Sequence, residues 1–86
     1  MQDIIDFLTL NGFTYTKDDK HNFTNSKCHI IVHIDESDYD GGLVSYYTVQ
    51  TSEYFTHSPD LQIYWLIGYL TYYGYMDKDY KQLNFN

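Results

Sequence analysis

The chain has 86 residues, one cysteine, and twelve Asp and Glu against five lysines and no arginine, for a formal net charge of -7 at pH 7. That length makes a single domain, 1–86, near the small end of what buries a core. The lone Cys28 excludes an intramolecular disulfide and suits a reducing compartment. The shortage of cations excludes a basic stripe for phosphates, so basic protein surfaces, not nucleic acid, are the partners expected.

Residues 3–12 read as a short helix, with Asp3 and Asp6 near its start, apolar positions at 4, 5, 7 and 8, and Gly12 as a stop. Residues 13–17 follow with strand composition, and 18–22 form a polar turn. Residues 22–26 stay ambiguous between a strand and a loop that drops Phe23 onto the core. Residues 28–34 are the clearest strand, with Cys28, Ile30, Val32 and Ile34 on the face expected to be core. An acidic hairpin loop, 35–42, closes on Asp40-Gly41 and returns as a strand over 43–51, whose buried face the alternation leaves open. Residues 51–57 read as a link.

The stretch 58–74 reads as the helix on which the fold is built. Ser58 is placed to cap it, Pro59 fits its first position, Asp60 faces its positive end and Gly74 ends it. Ile63, Leu66, Ile67, Leu70 and Tyr73 form an aliphatic stripe for a sheet below, and Trp65, Tyr69 and Tyr72 a second, aromatic stripe. Residues 76–86 form a short tail with Tyr80, Leu83 and Phe85 as docking points. The expected fold is therefore α+β: a helix, a three-stranded antiparallel meander, a long helix packed on the sheet, and a short C-terminal tail.

This order of elements resembles double-stranded-RNA-binding domains. Those domains work with lysines at the start of the last helix, however, and here Ser58-Pro59-Asp60 stands in that place. In size, charge and element order the chain is similar to small acidic phage-encoded inhibitors such as anti-CRISPR proteins. That likeness shares no motif, and it implies a protein that occupies a nucleic-acid site on its target. The absence of alanine and arginine, with abundant Asn, Tyr, Ile, Asp and Thr, is a bias of AT-rich coding sequences, as in many mobile elements.

Candidate sites follow from these elements. Glu36, Asp38, Asp40 and Gly41 match the opening of a calcium loop, but Tyr47 stands where a bidentate Glu is needed and strands flank the loop in place of helices, so no metal is expected. His29 and His33 would lie about 13 Å apart on a strand, too far to share an ion. Cys28 falls on the core face, in an acidic chain that gives it no activation as a nucleophile. No catalytic motif or cofactor signature is present, so the expectation is a binder and not an enzyme. The favoured partner site is Asp35, Glu36, Asp38, Tyr39 and Asp40 with Tyr46 and Tyr47 behind them. It would mimic nucleic-acid charge toward a basic, nucleic-acid-handling protein. The competing readings are a solvated turn, and a structural or regulatory subunit that forms a homodimer through Trp65, Tyr69 and Tyr72. The longest apolar run is too short and too interrupted to cross a membrane, so a cytoplasmic protein with no membrane partner is expected.

Overall fold

The computed structural model describes residues 1–36, 43–53, 55–58 and 61–82. Among them the elements run α1 (Gln2–Leu10), β1 (Thr14–Lys17), β2 (His21–Thr24), β3 (His29–Glu36), β4 (Leu43–Gln50), β5 (Phe55–His57) and α2 (Ile63–Tyr72). The strands form one five-stranded sheet in the order β1-β2-β3-β4-β5, each antiparallel to the next. The class is α+β, but the three-stranded meander under one long helix is corrected on both counts.

Two strands add to the expected three, one in the segment left open between strand and loop and one in the expected link. Residues 21–24 pair with both neighbours, and of the four only Phe23 is buried, which leaves too little alternation to mark a strand. Phe55–His57 is a three-residue edge strand inside the expected link, held to β4 through Thr48, Val49 and Gln50.

The long helix is also shorter than expected. It begins at Ile63, after Gln62, which makes no side-chain cap. Ser58 does not cap it. Its buried hydroxyl accepts the amide of Tyr47 at 2.9 Å, and its own amide donates to the Tyr47 carbonyl at 2.9 Å, which extends the β4–β5 ladder one residue past His57. Pro59 and Asp60 lie outside the described residues. The end is as read: Gly74 takes a φ of +74°, which a side chain disfavours, and the Tyr75 amide donates to the Leu70 carbonyl at 2.8 Å.

Register decides which face is core. Tyr15, Phe23, Ile30 and Val49 align across four strands, with Val32 and Tyr47 in the next row. Against this face pack Phe7 and Leu8 of α1, Leu66, Ile67 and Leu70 of α2, and Met76. Cys28, Ile30 and Val32 are buried as read, whereas Ile34 is exposed. Helices of nine and ten residues span about 14–15 Å, and an eight-residue strand about 26 Å, so the outer end of β3 outruns its cover. The tail docks through Tyr80, whose ring meets Phe7 edge-on at 5.9 Å. Asn11 fastens it further: its Nδ2 donates to the Lys81 carbonyl at 2.8 Å and its Oδ1 accepts the Lys81 amide at 2.7 Å. Leu83 and Phe85 lie outside the described residues.

Candidate functional site

Since every described helix side chain in the core packs on one face of the sheet, the other face carries no described element. By strand alternation that second face holds Asn22, His29, Ile31, His33, Tyr46, Thr48, Phe55 and His57, and cross-strand pairs place them side by side. Tyr46 lies flat on His33, with ring centroids 4.3 Å apart and planes 8° from parallel. His57 meets Tyr46 edge-on at 5.7 Å and Phe55 edge-on at 5.4 Å. Phe55 is 63% exposed, so this ladder of rings ends in an open apolar edge.

A hydrogen-bond chain runs beneath the rings. Lys20 Nζ lies 2.8 Å from His33 Nδ1, His33 Nε2 lies 3.0 Å from Thr48 Oγ1, and Thr48 Oγ1 lies 2.8 Å from His57 Nδ1. An ammonium has donors only, so His33 Nδ1 must accept. The neutral ring then carries its proton on Nε2 and donates to Thr48. Thr48, having accepted, keeps its own proton available for His57 Nδ1. Lys20 thus sets the direction of the chain as far as Thr48. Nearby, His29 Nε2 donates to Asn22 Oδ1 at 2.9 Å, and Asn22 Nδ2 donates to Asp18 Oδ1 at 3.1 Å. The Lys20 amide donating to Asp18 holds that carboxyl below the usual range.

This chemistry opposes a metal at the two imidazoles that converge on Thr48. An ion on His33 Nε2 would need a proton on Nδ1, which the Lys20 ammonium cannot accept. Among the described residues no three metal-ligating side chains gather. Cys28 is buried, and burial pushes its thiol up to about 11, away from nucleophilic use.

The partner-site residues read from sequence are placed unequally. Asp35 and Glu36 continue β3 in register with Val44 and Leu43, next to the His33–Tyr46 pair. Asp38, Tyr39 and Asp40 lie outside the described residues. Tyr46 is half-buried on the open face. Tyr47 alternates to the other side and is fully buried in the core, so it offers no contact to a partner. Thr48, Phe55 and His57 join Tyr46 without having been singled out. Their signal was the alternation of 46 and 48 on β4, which needed β5 to complete it.

On α2 the division also differs. Trp65 stacks on Tyr69 at 5.2 Å, and both pack against the core. Tyr72 is 81% exposed and stands with Tyr64, which is 73% exposed, and with exposed Gly68. A cleft of about 820 Å³ lies elsewhere, where the β2–β3 turn meets the end of α2; its Lys27 donates to the Gly74 carbonyl at 2.9 Å, closing the helix terminus. No described helix is long and apolar enough to cross a membrane. In comparisons with known proteins, no family, no curated protein and no solved structure matches this chain.

Proposed function

We propose that this protein is a small acidic binding module, not an enzyme, which acts inside the cell on the basic surface of a nucleic-acid-handling protein. It would block that surface in the manner of an inhibitor from a phage or other mobile element. The observation that carries the reading is the sheet face on which no described element packs. Its ring ladder, Phe55, His57, Tyr46 and His33, stands beside the strand ends where Asp35 and Glu36 begin the acidic hairpin. Carboxylates would steer a cationic partner in, and the open rings would hold it. The net charge of -7 suits that steering. No cofactor is required.

The experiment is capture of basic nucleic-acid-binding proteins on the immobilised chain, at low and high salt, followed by elution with duplex DNA. Capture that salt weakens and DNA reverses supports the reading. Capture indifferent to both contradicts it.

A second reading, a structural or regulatory subunit that self-associates, is favoured by the exposure of Tyr64 and Tyr72 on a helix with no charged residue.

A further inference from the structure

Among the described residues nothing in the fold of its own subunit requires a glycine at position 68. Unlike Gly12 and Gly74 it has no positive φ, and a Cβ built on it meets nothing within 4 Å. A glycine in mid-helix is nevertheless less favourable than alanine, because it leaves the unfolded chain more freedom to lose. Tyr64 and Tyr72 stand one turn to either side, four residues each way, so the three share a face. Beside Gly68 a groove of about 510 Å³ is lined by Gly68, Thr71, Tyr72, Lys78 and Tyr80. The face therefore carries a projecting ring at one end, a notch at its centre and a socket at the other end.

We propose that a second copy of this chain docks on this face. The two α2 helices pack antiparallel about a two-fold axis at Gly68, and Tyr64 of each copy enters the groove of the other, beside Tyr72. An isologous contact needs knob and socket on one surface. The spacing Tyr64, Gly68, Tyr72 reads the same in both directions, so a half-turn sets each Tyr64 opposite Tyr72 of the other copy. The missing side chain at Gly68 lets the backbones approach at the crossing point. Charge agrees as well. In a chain of net charge -7, α2 from Ile63 to Tyr72 has no charged residue, and the groove's one charged group is Lys78, a cation placed to meet the incoming ring. Four tyrosines bury about 600–1,000 Å² in all, below the area of a standard specific interface, so the contact is a weak, transient one. The helix packs on the core face of the sheet, so the dimer leaves the open face free.

This inference rests on the self-association reading and deepens it. Sedimentation of the full chain from low micromolar to sub-millimolar concentration should show a monomer–dimer equilibrium. Gly68→Ala should weaken it about tenfold or more, while its melting temperature at the lowest concentration does not fall, since the monomer has room for the methyl group. Tyr64 replaced by the photoreactive aromatic p-benzoylphenylalanine should cross-link to the peptide of the other copy that holds Thr71, Tyr72 and Lys78. A monomer at every concentration overturns both the inference and the self-association reading. A dimer that Gly68→Ala leaves unchanged, or whose cross-link falls outside residues 68–80, overturns this arrangement alone and leaves self-association standing.

Discussion

The amide and the carbonyl of Tyr47 are both paired with Ser58, one through the serine hydroxyl and one through its backbone, each at 2.9 Å. A residue that reads as a helix cap is thus an acceptor that closes the sheet. The two roles predict opposite mutational orders. As a cap, Ser58→Gly would cost a few tenths of a kcal/mol and Ser58→Asp almost nothing. As the buried partner of Tyr47, Ser58→Ala and Ser58→Gly should each cost about 1–3 kcal/mol, and Ser58→Asp more, because it buries a carboxylate. Urea titration of the four proteins reads the order directly.

Core substitutions should divide by face. Leu66→Ala and Leu70→Ala each remove a fully buried side chain and should cost about 2–5 kcal/mol. Ile34→Ala, at an exposed position, should cost well under that. Equal losses at Ile34 and Leu66 in denaturant titrations would mean that the helices cover the outer end of β3 after all.

Protonation of His21 should destabilise the fold. Its pKa is lowered, first by burial and then by Lys17 and the N-terminal amine, and its Nδ1 lies 2.7 Å from the Tyr15 hydroxyl. The native state therefore binds a proton less readily than the unfolded chain. The stability this contributes is full above the ordinary histidine value of about 6.5 and is lost as pH falls toward the lowered folded value. Melting temperatures between pH 8 and pH 5 should fall on the acid side, and His21→Gln should flatten part of that slope.

The open face predicts a specific proton arrangement. With Lys20 donating to His33 Nδ1, both His33 and His57 should carry their proton on Nε2 when neutral. Nitrogen chemical shifts of the two rings above pH 7 decide it. A proton on Nδ1 of His57 would mean that Thr48 does not donate to it.

Much of this was legible where one residue type served one element. Gly12 and Gly74 end their helices at positive φ as expected, and Cys28, Ile30 and Val32 alternate inward on β3. Legibility failed where a motif had two uses. Ser58-Pro59-Asp60 satisfies every local rule for a helix start, yet the tertiary demand of the Tyr47 amide took the serine. It failed also where a strand was too short to show a period: β2 buries only Phe23, and β5 none of its three residues. The site suffered for the same reason. Without β5, neither His57 nor Phe55 could be set beside Tyr46. Nothing on β4 alone says that Tyr46 faces out and Tyr47 in, because both are tyrosines and the choice belongs to the helices packed on the other side.

In the proposed function the carboxylates at the end of β3 and in the segment that follows steer a basic partner onto the open face. The most direct test is the association rate of a captured partner with a variant carrying Asp35→Asn, Glu36→Gln, Asp38→Asn and Asp40→Asn, compared with wild type at two salt concentrations. Exposed charges act over about 8 Å at physiological ionic strength and set encounter more than residence. The variant should therefore keep its melting temperature, associate several-fold more slowly and lose most of its salt dependence, with a dissociation rate little changed. An unchanged association rate and salt slope would rule out steering by these carboxylates and move the partner site to the tyrosines of α2.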